Sequence, residues 1–402
     1  MKRIIFILFI TVCSTAVMAQ KEISIEEFAK QYQEKMESFD DSSKKKDYQT
    51  AEKRIYELLP LYNQLSAQDQ KDYQQQVLGN IYYNLACCYS LQNQKKKAID
   101  AFEKAVSYGF SNYSNAKVDT DLDNIRKDKQ FIALMDNIRG KIDYPYILQT
   151  AGKYQQADTT GLPHFTYEKA TSANLKKVRE FFKLDSIAGQ GDEISKFINI
   201  LTWTHNNIHH DGNNSALCEF DAIDVYNYYK STGKGVSCRV LAMALNELYL
   251  SMGFQSRYVT CMPKNENDVD CHVINCVYSN SLHKWLWMDP TNNAYVKDEN
   301  GNLLSIEEVR ERLIDGRQLV LNEDANWNNE IKKTKEDYLE NYMAKNLYWL
   351  QCTVKSQFNS ESPYRYIDHT YINLYPTGYE RSAQNVKSMI TNDPSYFWQT
   401  PE

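Results

Sequence analysis

The chain has 402 residues, with 46 Lys and Arg set against 52 Asp and Glu for a formal net charge of −6. That acidic balance, with no basic run, argues against nucleic acid or an anionic membrane surface as the main partner. The length exceeds what one hydrophobic core sustains, so two or three domains are expected.

The N-terminus opens with Lys2 and Arg3, continues through the apolar run Ile4 to Val12, and reaches small residues and Val17-Met18-Ala19. These are the three regions of a secretory leader. Residues 1–19 are therefore read as a signal peptide cut after Ala19, and the protein as exported, periplasmic or secreted. Loss of Lys2 and Arg3 takes the formal charge from −6 to −8. Lipid anchoring would use Cys13, but bulky Val12 precedes it where a small residue is usual. Later stretches fall short of the ~18–20 apolar residues of a membrane span. The cysteines after Ala19 are Cys87, Cys88, Cys218, Cys238, Cys261, Cys271, Cys276 and Cys352, with neither the spacing of a small disulfide framework nor a CxxC zinc pair. An exported chain permits disulfides; Cys271 with Cys276 and Cys218 with Cys261 both stay open as pairs.

Residues 24–140 read as helical almost throughout, rich in Lys, Glu, Gln, Ala and Leu, with Pro60 the only proline. Tyr82, Leu85, Ala86, Tyr89, Ala98, Phe102 and Ala105 follow a spacing that resembles a tetratricopeptide repeat. Small residues at 86 and 98 let paired helices approach, and aromatics fill the groove between them. One such unit cannot bury its own apolar face, so residues 20–143 are expected to form a helical array with degenerate flanking pairs. Two roles are open for it, a scaffold and a groove for a protein partner; the lack of a binding stripe favours the scaffold.

Turn chemistry over Asp143 to Phe165 marks a boundary. Helical periodicity returns from Ala173 to Asn207 and over Ala222 to Tyr229. Gly233 and Gly235 then precede Cys238, and Leu241, Ala242, Leu245, Leu248 and Tyr249 follow at helical spacing. This places Cys238 in the first turn of a mostly buried helix, where unpaired N–H groups and the helix dipole favour a thiolate and offer donors to an oxyanion. Strand patterns follow at Arg257 to Thr260, His272 to Tyr278 and Lys284 to Met288, giving an α+β domain over residues 144–325. Residues 326–402 are set apart as a C-terminal extension, helical from Trp327 and irregular beyond.

A thiolate nucleophile needs a base, and the base an orienting group. Centring a hairpin between Asn280 and Ser281 sets His272 opposite Asp289, with Cβ atoms ~4.5–5.5 Å apart on one face. A His–Asp hydrogen bond is expected across it.

Gly-Val-Ser-Cys238-Arg-Val-Leu-Ala-Met-Ala-Leu, Gly253-Phe-Gln-Ser-Arg-Tyr-Val, Asp270-Cys-His272 and Trp287-Met-Asp289-Pro-Thr resemble the core of the transglutaminase-like superfamily over roughly residues 195–300. The resemblance implies a papain-like α+β fold and a Cys–His–Asp triad, with Cys238 as nucleophile, His272 as general base and Asp289 as orienter. It implies a Cys238 thioester and no cofactor. Hydrolysis of a peptide or amide bond is the leading reading, on a peptide, protein or cell-wall peptide. A cross-linking transglutaminase and a non-catalytic module that binds peptide or glycan are the alternatives. Two features depart from the pattern. Ile274 stands where an aromatic often follows the histidine by two, and residues 231–237 carry no obvious side-chain oxyanion donor such as glutamine; His210 or Trp203 is the candidate to line the cleft.

Other motifs read as structure. His205 and His209 have the spacing of HExxH, but Asn206 replaces the glutamate and no third ligand is evident, so no metal is expected. Asp298 to Asn302 places glycine at the fourth position, whereas a calcium loop needs it at the sixth; a hairpin turn is expected. Leu241, Leu245, Trp285 and Trp287 are assigned to the core.

Overall fold

A computed structural model describes residues 22–402 apart from 365, 366, 368 and 383–387. The segment read from the sequence as a signal peptide, including Cys13 and Ala19, lies outside the described residues. The described chain falls into two compact units, one within Met1–Ile142 and one within Asp143–Glu402.

The first unit is all helical: α1 (Ile25–Lys44), α2 (Tyr48–Tyr56), α3 (Leu58–Tyr62), α4 (Ala67–Leu91), α5 (Lys95–Ser107), α6 (Tyr113–Val118) and α7 (Lys129–Ile142). Ser24 and Ser66 cap α1 and α4 by accepting from the Glu27 and Asp69 amides. The α4–α5 pair owes its close approach to Ala86, Ala98 and Ala105, all at 0% exposure with Leu85 and Phe102. Phe102 meets Phe131 of α7 at 4.7 Å between ring centroids, and Phe110 stacks on Tyr83 at 4.4 Å. The aromatic and small-residue spacing in the sequence is thus spent on helix packing.

The second unit opens with Asp143, which caps α8 (Tyr144–Gln149) by accepting from the Tyr146 amide at 3.1 Å. Next come α9 (Ala173–Phe182), α10 (Leu184–Ala188), α11 (Glu193–Asn207), α12 (Ala222–Thr232) and α13 (Cys238–Ser251). The sheet strands are β1 (Ser256–Met262), β2 (His272–Ser279), β3 (Lys284–Met288), β4 (Trp349–Thr353), β5 (Tyr371–Leu374) and β6 (Ser388–Thr391). They stand in the order β6-β5-β4-β1-β2-β3, antiparallel except for the β5–β6 pair. Residues 326–402, set apart in the sequence as an extension, supply β4, β5 and β6 and complete the sheet. They begin with a two-stranded ribbon, Asn326–Trp327 with Ile331–Lys332, and the helix starts only at Glu336.

Both sheet faces are covered. Val259, Cys261, Ile274, Cys276, Trp285, Trp287 and Cys352 lie on one, against Ile147 and Leu148 of α8, α14 (Ile306–Asp315) and a π-helix over Glu336–Met343. Tyr258, Val273, Val277, Leu286 and Met288 lie on the other, against α13 and its neighbours. α13 is apolar around nearly its whole circumference because it is buried on all sides.

The β2–β3 hairpin corrects the expected register. Asn275 pairs with Met288 and Ser279 with Lys284, so the centre lies between residues 281 and 282. The turn is Asn280–His283, with His283 at φ 51°. Its geometry is set from a distance: the Glu193 carboxylate, at the start of α11, accepts from the Asn280 and Ser281 amides and from the Ser279 and Ser281 hydroxyls at 2.6–3.1 Å. Side-chain alternation has period two, so this two-residue shift leaves His272 and Asp289 on one face as diagonal neighbours. All eight cysteines among the described residues are free thiols, and neither candidate disulfide is formed. No described helix is long and apolar enough to cross a membrane.

Candidate active site

Cys238 is the first residue of α13, and Ser237 is its N-cap, accepting from the Val240 amide. The sulfur therefore sits at the positive end of the helix dipole, beside N–H groups with no partner inside the helix. His210 and His272 both act on its ionisation as hydrogen-bond partners. Burial opposes ionisation of the thiol, but these two hydrogen bonds and the His272 charge outweigh it and bring the pKa down to about 6.

His272 opens β2 and is 2% exposed. Its Nε2 lies 2.8 Å from Asp289 Oδ2. Burial disfavours the imidazolium, yet the Asp289 charge and hydrogen bond, with the Cys238 sulfur on the other side, raise the ring to about 10. Asp289 itself is fully buried and is kept ionised despite burial, by His272 first and then by its donors. Oδ2 accepts from Tyr338 Oη at 2.6 Å and Asn292 Nδ2 at 2.9 Å, while Oδ1 accepts from the Thr291 and Asn292 amides at 2.8 and 3.3 Å. With the thiol at about 6 and the ring at about 10, the neutral-pH arrangement is a thiolate beside an imidazolium.

The three residues singled out in the sequence thus meet at one place. Tyr338 and Tyr342, both on the π-helix, were not legible there: Tyr338 reaches Asp289, and the Tyr342 ring stands edge-on to His272 at 5.2 Å between centroids. π-Helical turns recur at functional sites. Asn292 was legible only as a neighbour of Asp289. A cleft of about 200 Å³ opens beside His272, lined also by His210, Thr291, Trp327 and Tyr342.

Of the two residues expected to line the cleft, His210 does so and Trp203 does not. Trp203 stacks on Tyr226 and meets Phe182 edge-on, packed against the helical core. His205 is buried, with Nδ1 at 3.0 Å from the Pro290 carbonyl and Nε2 at 2.9 Å from Asn326 Oδ1. It ties the loop after Asp289 to the ribbon carrying Trp327, and both ring nitrogens are engaged. His209 instead faces the Tyr229 ring. Asp298 closes a turn by accepting from the Asn300 and Asn302 amides, and Ile274 is a fully buried sheet residue.

Residues 182–290 match the family model of the transglutaminase-like superfamily core, a span that contains Cys238, His272 and Asp289. Among characterised proteins, a chloroplast protein of Arabidopsis thaliana is 40% identical over 53 residues, which is 13% of this chain and 16% of that protein. The chain therefore spans about a sixth of that relative. A solved structure of a candidate cysteine protease from Cytophaga hutchinsonii aligns over 45% of this chain and 59% of its own, at 17% identity and a TM-score of 0.24. At that TM-score the likeness does not define a fold.

Proposed function

We propose that the transglutaminase-like domain over residues 182–290 works as an exported thiol enzyme that hydrolyses a peptide or amide bond through a Cys238 thioester. The observation that carries this reading is the placement of Cys238 as the first residue of a buried helix, with His272, which helps lower its thiol, held at 2.8 Å by the buried Asp289 carboxylate. Structural cysteines have no use for such an arrangement; acyl transfer does.

The Cys238 thiolate attacks the carbonyl carbon, a C–S bond forms, and the carbonyl π pair moves onto oxygen. The His272 imidazolium gives its proton to the departing amine as the C–N bond breaks, which leaves a thioester and a neutral ring. That ring then takes a proton from water as water attacks the thioester, and collapse returns the thiolate and releases the acid. Asp289 stays ionised throughout and holds the ring in line. Water is the default acceptor; an amine in its place turns the same thioester into a cross-link.

The test is incubation of the mature protein with a peptide library and with peptidoglycan fragments, read by mass spectrometry. Gain of water across a cleaved bond supports hydrolysis. A deamidation shift or an amine adduct assigns the thioester another fate, and no Cys238-dependent product refutes the enzyme in favour of a binding module. Export predicts a mature N-terminus at Gln20, read directly by N-terminal sequencing of protein recovered outside the cytoplasm.

A further inference from the structure

Attack by Cys238 makes a negative oxygen beside α13, and residues 231–237 hold no glutamine or other side-chain amide to meet it. The His210 ring is held at that place from two sides. On the first, the Val236 amide donates to the His209 carbonyl at 3.0 Å and the Asp211 amide to the Val236 carbonyl at 2.8 Å. The segment bearing His210 is thereby fastened two residues ahead of Cys238. Gly235 permits this, since a Cβ there would stand 2.8 Å from both the His209 carbonyl oxygen and the His210 carbonyl carbon. On the second side, the Asn328 side chain accepts from the His210 amide at 2.8 Å and donates to the His210 carbonyl at 2.9 Å.

The adjacent Trp327 Nε1–H donates to His210 Nδ1 at 3.0 Å. An indole nitrogen only donates. Nδ1 must therefore present its lone pair, which puts the ring N–H on Nε2, in a ring that lines the same cleft as His272 and lowers the Cys238 thiol as a hydrogen-bond partner. His272 already supplies the proton chemistry at that sulfur, so a second ring with its donor fixed in advance suits an oxyanion formed two bonds away.

We propose that His210 is the side-chain oxyanion donor for acyl transfer at Cys238, and that Trp327 is a positioning residue that fixes the His210 proton on Nε2. This rests on the thioester reading above. As the C–S bond forms, the oxyanion lies between the Cys238 backbone N–H and the His210 Nε2–H; its collapse restores the carbonyl and expels the leaving group. Trp327 and Asn328 belong to a segment more than a hundred residues away from His210, so their meeting is a property of the fold alone.

The test compares two reactions of Cys238 in the full mature chain. Acylation by p-nitrophenyl acetate passes through an oxyanion but needs no proton donor, since p-nitrophenolate leaves unaided. Alkylation by iodoacetamide needs the thiolate and passes through no oxyanion. Each is read on its own high-pH plateau, so that a shifted thiol titration does not enter. His210→Ala is expected to slow the acylation burst by about 100-fold to 1,000-fold, the loss found when one oxyanion donor is removed, with the alkylation plateau close to wild type. His210→Gln, which keeps a neutral N–H donor, recovers part of the loss. Trp327→Phe, which frees the ring proton to move, slows acylation to a lesser degree than His210→Ala. Acylation at the wild-type rate in His210→Ala, or equal loss of acylation and alkylation in all three variants, overturns the proposal. A wild-type protein that gives no burst overturns it together with the thioester reading, which separates the two failures.

Discussion

Replacing Asp289 by Asn tests the electrostatic core of the site. The change is nearly isosteric and keeps an oxygen for the Thr291 and Asn292 amides. At the Oδ2 position, however, it sets an NH2 group against the His272 ring, where a 2.8 Å bond to a carboxylate stood. A hydrogen bond to a charged group contributes about 1.5–3 kcal/mol, and 1.36 kcal/mol corresponds to one pKa unit. The imidazolium should therefore lose its proton about 1–2 units below the wild-type value. The sign follows from the charge: the carboxylate stabilises the protonated ring, so removing it moves the loss of that proton to lower pH, down from about 10. The assay is the ratio of Cys238 alkylation rates with iodoacetate and iodoacetamide as pH rises. The anionic reagent is drawn to the imidazolium and the neutral one is not, so the ratio drops as the ring deprotonates. An unchanged midpoint in Asp289→Asn would show that Asp289 does not hold the ring, and the mechanism built on it would fall.

Tyr338→Phe removes the 2.6 Å hydrogen bond to Asp289 Oδ2 inside the protein; urea unfolding is expected to report a loss of about 1.5–3 kcal/mol, as for other bonds to charged groups. Gly235→Ala drives a methyl to 2.8 Å from backbone atoms of residues 209 and 210. It should lower stability by about 1–3 kcal/mol and, by displacing His210, slow acylation by p-nitrophenyl acetate more than alkylation by iodoacetamide.

The sequence disclosed this site unevenly, and the reasons are physical. Cys238 could be placed because a glycine-bearing turn followed by apolar residues at helical spacing is local information. His272 and Asp289 could be put on one face because strand alternation is also local, and a two-residue error in register preserves it. The register itself was beyond reach, since Glu193 fixes the turn from some 86 residues upstream. The same holds for the strands after residue 326: β4 pairs with β1 across a gap of some 90 residues, and neither carries a mark of the other. Tyr338, Trp327 and Asn328 act on Asp289 and His210 from that same distant stretch. Trp203 misled because an aromatic next to a histidine-rich stretch looks exposed to a cleft, whereas its position on α11 turns it toward Phe182 and Tyr226.

Competition among the eight cysteines tests the central claim most directly. Burial pushes the thiols of Cys87, Cys88, Cys218, Cys261, Cys271, Cys276 and Cys352 up, and Cys238 alone among them is brought down, to about 6. A limiting amount of iodoacetamide at neutral pH, followed by peptide mapping, should place the label on Cys238 before any other cysteine, with a rate that titrates near pH 6. Label spread over several cysteines, or a Cys238 rate that rises only above about pH 8, where an ordinary thiol ionises, would contradict the account.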